Sequence, residues 1–196
     1  MNLKQLATLI LSIEKPGLSK VRFAKTIYYV HKELVRAGVM TTEDINYIRM
    51  PLGPVPDGFM QLTENQDDIV TETIKTGLSY NSLNYRLRRR RFFSPRVRRN
   101  EIFNGIDAIV KNLHDVSTGV LVEKSHEESS WINHKNGQIY SISSRDMRNP
   151  LPVKQKGISQ ILENQKIQAS LVDGMLEDIV SESTDLEYPS DGPEKS

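Results

Sequence analysis

Ser125-His126-Glu127-Glu128-Ser129-Ser130-Trp131, read together with Gly53-Pro54-Val55-Pro56 far upstream, carries more stereochemical information than any other part of this chain. Proline fixes φ near −65° and disfavours helix in the residue before it, so two prolines flanking one residue after a glycine force a rigid extended entry. Ser-His followed by two acids points to a helix end at His126, with a new helix start at Ser129. Trp131, the only tryptophan, is expected to pack in the core and anchor that junction. His126 is expected to cap a helix C-terminus or to bond a backbone carbonyl, where a donor is favoured.

Working outward, the N-terminal third is helical. Asn2 caps a first helix with Leu3, Leu6, Ala7, Ile10 and Ile13 at helical spacing, ended by Pro16-Gly17. Ser19 caps a second helix running to about Ala37, with Gly38 suited to the C′ position. Val21, Ala24, Ile27, Tyr28, His31, Leu34 and Val35 form its apolar stripe, where His31 reads as a satisfied core or boundary residue. Ile45 to Met50 reads as extended, and a helix is expected from about Pro56 to Leu62. Asp68 to Thr76 is β-branched and reads as a strand. Gly77 to Asn84 is turn-like, and a second strand is expected from Leu83 to Phe93, completing a hairpin. Asn100 and Ser117 cap two further helices, the second ending at His126. Asn136-Gly137 is a turn, Gln138 to Ser143 is short and extended or irregular, and Pro150 and Pro152 close the domain.

From Val153 the composition changes. Ile158, Ile161, Leu162, Val172, Leu176 and Ile179 fit an amphipathic helix, weakened near Gly174. Nine acids between Ile161 and Ser196 face only Lys166 and Lys195. After Ser181 the chain holds too little apolar surface to order itself. The expected organisation is a domain over 1–152 and a helical extension with a disordered acidic tail over 153–196. The fold class is α+β, mostly helical: a compact helical core with a small antiparallel β-hairpin or sheet.

Bulk properties exclude several classes. The 196 residues suffice for a real core. A net charge of +1 does not describe a polycation built for nucleic acid, and the absence of cysteine excludes disulfides and thiolate metal sites. Apolar runs such as Ile27-Tyr28-Tyr29-Val30 are far short of a membrane span, and no signal-peptide pattern opens the chain. The expectation is a cytoplasmic protein.

Eight arginines, Arg86, Arg88, Arg89, Arg90, Arg91, Arg96, Arg98 and Arg99, lie within fourteen acid-free residues interleaved with Phe92 and Phe93. Three readings stand open for this ribbon. It is a solvated edge that discourages strand aggregation, a dock for an acidic partner or for the chain's own acidic tail, or a nucleic-acid contact. Catalysis finds less support. His126, Glu127, Glu128 and His134 match no common zinc spacing. There is no phosphate loop and no nucleophile elbow. The acid pairs Glu43-Asp44, Asp67-Asp68 and Glu127-Glu128 are adjacent in sequence and point different ways on a regular element. No catalytic residue, cofactor or metal is assigned.

Three stretches taken in order resemble the Panacea, or SocA-like antitoxin, domain over roughly residues 1–150. They are Lys20-Val21-Arg22-Phe23-Ala24-Lys25-Thr26-Ile27-Tyr28-Tyr29, Gly53-Pro54-Val55-Pro56, and Leu121 to Trp131 with Ser125-His126-Glu127. The resemblance implies a non-enzymatic antitoxin that neutralises a cognate toxin by direct binding. At least one kind of member is similar to a proteolytic adaptor that delivers its toxin to a protease. It marks Gly53, Pro54, Pro56, Ser125, His126 and Trp131 as fold-determining. The partner-binding candidates are Arg86, Arg88, Arg90, Arg91, Arg96 and Arg98. A nucleic-acid-binding regulatory or phage-associated protein using the arginine ribbon is the alternative.

Overall fold

A computed structural model describes residues 1–64, 68–76, 80–88 and 100–152. The elements among these residues are α1 (Leu3–Ile13), β1 (Leu18–Ser19), α2 (Lys20–Arg36), β2 (Tyr47–Met50), β3 (Gly53–Pro56), a 3₁₀ turn (Met60–Thr63), β4 (Ile69–Thr76), β5 (Tyr80–Leu87), α3 (Glu101–His114), α4 (Thr118–His126), the single turn α5 (Ser129–Ile132), and β6 (Ile139–Tyr140). A short 3₁₀ turn, Asp146–Arg148, precedes the end of the described chain.

The helix α2 is the axis of the molecule. It contains no glycine or proline, and every residue from Phe23 to Leu34 is buried. Its end is a Schellman turn. Gly38 adopts φ +73°, its N–H donates to Val35 O (3.0 Å), and Val39 N–H donates to Leu34 O (2.9 Å). Asn2 caps α1 through a reciprocal pair with Gln5, and Asn100 Oδ1 accepts from Ile102 N–H (2.9 Å) to start α3. The apolar faces of α1, α3 and α4 close on α2, with Leu6, Ile10, Ile106, Ile109 and Leu121 all buried.

Two three-stranded antiparallel sheets flank this bundle, in the orders β1-β5-β4 and β3-β2-β6. In the first, Ile69 pairs with Leu87 and Thr76 with Tyr80. The strand β5 thus starts earlier than the sequence predicts, because Tyr80 to Asn84 is strand and not turn. Its polar Asn84 is tolerated there because Nδ2 donates to Pro16 O (2.9 Å). In the second sheet Tyr47 pairs with Pro56 and Tyr140, and both tyrosines are buried. This pairing holds Pro56 as the last residue of a strand. The helix expected from Pro56 to Leu62 therefore shrinks to one 3₁₀ turn beginning at Met60. Pro54 and Pro56 sit on an edge strand, where a missing N–H is not missed.

His31 is buried as expected, its ring nitrogens engaged by Tyr47 OH and Thr41 O, both at 2.9 Å. Burial lowers its pKa to about 4, so it is neutral in the core. The expected continuation of β5 to Phe93, the amphipathic segment of 158–179 and the acidic tail lie outside the described residues.

Candidate functional site

The two signature stretches meet on one face of α2. Arg22, Lys25, Tyr29, Lys32 and Arg36 recur at alternating steps of three and four, which aligns them along the helix. Each donates a hydrogen bond to a different part of the chain. Arg22 caps the C-terminus of α3, donating to the carbonyls of Leu113 (2.7 Å), His114 (2.8 Å) and Val116 (2.8 Å). Tyr29 OH donates to Leu121 O in α4 (3.0 Å). Arg36 donates to Met147 O and Asn149 O, both at 2.6 Å.

Lys25 is the centre of the stripe. Its Nζ donates to Pro54 O at 2.7 Å, and the residue is buried. No carboxylate pairs with it among the described residues, and burial lowers its pKa to about 7. Gly53 lies directly against it. Its φ is +90°, and a Cβ there would overlap Ser125 Oγ and sit 2.7 Å from Lys25 Nζ. Only glycine meets both demands. Ser125, from α4, is fully buried and its hydroxyl donates to Val122 O (2.7 Å). Gly53, Pro54 and Ser125 thus converge on one ammonium, which the sequence pattern does not single out.

His126 and Trp131 form the outer layer. Their rings stack at 4.1 Å, and the Arg49 guanidinium lies 3.9 Å from the indole centroid. Arg49 Nε also donates to Trp131 O (3.1 Å), and Trp131 Nε1 donates to Met50 O (3.1 Å). Trp131 is only partly buried, which corrects the expectation of a core residue. Its role is to join α5 to the end of β2 through a cation–π and stacking contact. Partial burial and the neighbouring Lys25 charge lower the pKa of His126, a shift that a backbone hydrogen bond with Pro51 opposes.

Two buried carboxylates, one ion-paired and one held by serine hydrogen bonds, secure the junction after His126. Lys32 Nζ meets Glu128 Oε1 at 2.6 Å with both side chains buried, and Asn149 Nδ2 donates to Glu128 Oε2 (3.0 Å). Burial pushes the Lys32 pKa down and that of Glu128 up, and their mutual attraction opposes both shifts. Asp146 accepts from Ser129 N–H and Ser129 Oγ, both at 2.6 Å, and from Ser130 N–H (3.2 Å). Burial would raise its pKa, but the hydrogen bonds from Ser129, Ser130 and Ser143 outweigh it and hold the carboxyl below its usual range. Ser129 therefore starts α5 as expected, with its amides satisfied by an aspartate seventeen residues downstream.

Of the arginine candidates, Arg86 and Arg88 are described. Arg86 Nε meets Glu72 Oε2 at 2.8 Å across the β4-β5 pair, in a solvent-exposed contact. Arg88 is exposed, and its backbone N–H donates to Asp68 O (2.8 Å). Arg90, Arg91, Arg96 and Arg98 lie outside the described residues. Among the described residues no cluster of metal-ligating side chains occurs, and no helix is long and apolar enough to cross a membrane.

The family model described as "Antitoxin SocA-like, Panacea domain" matches residues 23–132, more than half of the chain. The match begins on α2 just before Lys25 and ends just after Trp131, so it encloses Lys25, Gly53, Ser125 and Trp131. No curated protein and no solved structure matches. The chain belongs to the SocA-like antitoxin family.

Proposed function

We propose that this protein is an antitoxin that neutralises a cognate toxin protein by binding it directly, without catalysing a reaction. The family match over residues 23–132 carries the reading. The local chemistry supports it. Lys25 and Ser125 look like a base and a nucleophile, yet both are closed off from solvent and engaged by backbone carbonyls. Such groups serve the frame and leave toxin recognition to the surface. The toxin-binding domain in this reading spans 1–152, and the protein works in the cytoplasm beside its target.

The deciding experiment is co-expression. The small protein encoded beside this gene should arrest growth alone and not when this chain is present, and the two purified proteins should form a complex. Rescue without a complex, or arrest that persists with this chain present, overturns the reading. Delivery of the toxin to a protease is its finer form, and it predicts that rescue is lost in a host lacking that protease.

The acid-free arginine run supports the nucleic-acid alternative. Replacing Arg86, Arg88, Arg90 and Arg91 with Ser should leave the fold intact; of the described pair, Arg88 and the Arg86–Glu72 contact are exposed, and exposed charges add little stability. The alternative requires wild-type binding to DNA or RNA with a steep salt dependence that this variant loses.

A further inference from the structure

Four strands end the two sheets: β4, β1, β3 and β6. Three of these edges are blunted. The strands β1 and β6 are two residues long, and β3 carries Pro54 and Pro56. The edge of β4 is different. It runs for eight residues, Ile69 to Thr76, without proline or glycine. Its pairing with β5 is continuous from Ile69↔Leu87 to Thr76↔Tyr80, so no bulge bends it away. Among the described residues no strand pairs with its outer side.

This hairpin also runs out beyond the core. Ile69 and Tyr85 are buried at its base. Farther along, Thr73 and Leu83 on one face and Glu72 and Ile74 on the other are all exposed. The strand β1 borders β5 only at Tyr85 and Asn84. What lies past them is a two-stranded ribbon, an arrangement that is marginal in water unless further strands join it.

The ladder fixes which main-chain groups of β4 point outward. Arg88 N–H donates to Asp68 O (2.8 Å), in register with the Ile69↔Leu87 pair. Hydrogen-bonded and non-hydrogen-bonded pairs alternate along an antiparallel ladder. Val70, Glu72, Ile74 and Thr76 therefore turn their N–H and C=O groups toward β5, and Ile69, Thr71, Thr73 and Lys75 turn theirs outward. An identical strand laid antiparallel about a two-fold axis must match outward residues to outward residues, so the axis passes beside a single residue. An axis at Glu72 opposes two like charges. An axis at Thr71 or Ile74 leaves much of the strand without a mate. An axis at Thr73 aligns Val70 to Thr76, with Thr73 facing the partner's Thr73, Glu72 facing the partner's Ile74 and Thr71 facing the partner's Lys75. The outward pairs then supply about six main-chain hydrogen bonds. Glu72 brings no bare charge to this contact, because Arg86 of its own chain meets it at 2.8 Å.

We propose that two copies of this chain join edge to edge through β4, with the two-fold axis at Thr73, to form one continuous antiparallel sheet. The inference rests on strand register and stands independently of the toxin reading.

The full-length chain has no cysteine, so one introduced cysteine reports symmetric proximity. Across the axis the two Thr73 Cα atoms lie about 5.5 Å apart, within disulfide range. The two Thr71 Cα atoms lie about 14 Å apart, well outside it. Under mild oxidation Thr73→Cys should form an interchain disulfide at least about tenfold faster than Thr71→Cys. In a second, cysteine-free measurement, sedimentation of the wild-type chain should show a concentration-dependent dimer. Thr73→Pro removes an outward N–H and none that β5 uses, so it should weaken that dimer at least about tenfold and leave the far-UV circular dichroism unchanged. A wild-type chain that stays monomeric at every concentration overturns the proposal, as does equal cross-linking at the two positions. A dimer that persists at full strength in a folded Thr73→Pro chain places the contact on another surface and overturns it too. Should Thr73→Pro fail to fold, the cysteine pair decides alone.

Discussion

Replacing Gly53 with alanine tests the centre of the frame. Two costs arise there. The backbone holds φ +90°, a conformation that costs an L-residue roughly 1–2 kcal/mol. The new Cβ would overlap Ser125 Oγ and lie 2.7 Å from Lys25 Nζ and 3.0 Å from Lys25 Cε, with both side chains buried. Overpacking of this kind costs about 1–3 kcal/mol. The total of roughly 2–5 kcal/mol corresponds to a fall in Tm on the order of 10 °C for a domain of this size. Gly137 provides the control. Its φ is +82° and nothing lies within 4 Å of its added Cβ, so Gly137→Ala carries the backbone cost alone. Thermal melts followed by far-UV circular dichroism should therefore rank wild type, Gly137→Ala and Gly53→Ala in falling order. Adding Ser125→Ala to Gly53→Ala should recover part of the loss. A Gly53→Ala protein no less stable than Gly137→Ala would refute the close approach of Gly53, Lys25 and Ser125.

Other expectations follow from the same contacts. The folded pKa of Lys25, about 7, lies below its ordinary value of 10.5, so between these limits the unfolded chain binds more protons. Stability should therefore rise from pH 7 to 9 by up to about 1 kcal/mol per unit; urea melts should show this rise in wild type and not in Lys25→Met, and a flat wild-type profile contradicts it. Glu128→Ala strands Lys32 in the core and should cost about 3–5 kcal/mol, while Glu128→Leu with Lys32→Leu should recover most of it. Melts of the single and double variants decide, and equal losses would remove the ion pair from the account. Trp131 is the only tryptophan and stacks on His126, whose pKa is lowered, so acid quenching of its fluorescence should begin only below the ordinary histidine range. His126→Gln should abolish that titration, and an unchanged titration would place the proton elsewhere.

Sequence periodicity identifies α1, α2 and α3 because each hides one apolar stripe, with Asn2 and Asn100 capping α1 and α3; α4 buries only Leu121 and Ser125 and is legible mainly from its Ser117 cap. The strand β5 is harder to read, since Asn81, Ser82 and Asn84 have the composition of a turn. Only the distant Pro16 carbonyl makes Asn84 acceptable within a sheet. Trp131 misleads in the other direction. Aromatic size favours the interior, yet Arg49 and His126 offer its faces polar partners at the surface. At the site, Gly53, Pro54 and Ser125 are legible as special positions, but their partner Lys25 is not, because lysine on a helix normally reads as solvated. The available signal is the spacing of Arg22, Lys25, Tyr29, Lys32 and Arg36, which repeats the period of the buried stripe.

That spacing has a consequence for how freely the rest of the molecule can change. Arg22, Lys25, Tyr29 and Arg36 grip main-chain oxygens of Leu113, His114, Val116, Pro54, Leu121, Met147 and Asn149. A carbonyl is the same whatever side chain follows it, so the grip is blind to the identity of the residues it holds. Outward-facing side chains on the gripped segments can diverge without loosening their attachment, whereas the gripping side chains on α2 cannot. A saturation scan for folded protein should show this division, with Arg22, Lys25 and Arg36 intolerant and the solvent-facing positions of α4 permissive. A protein so arranged can hold one skeleton while the side chains on its surface change.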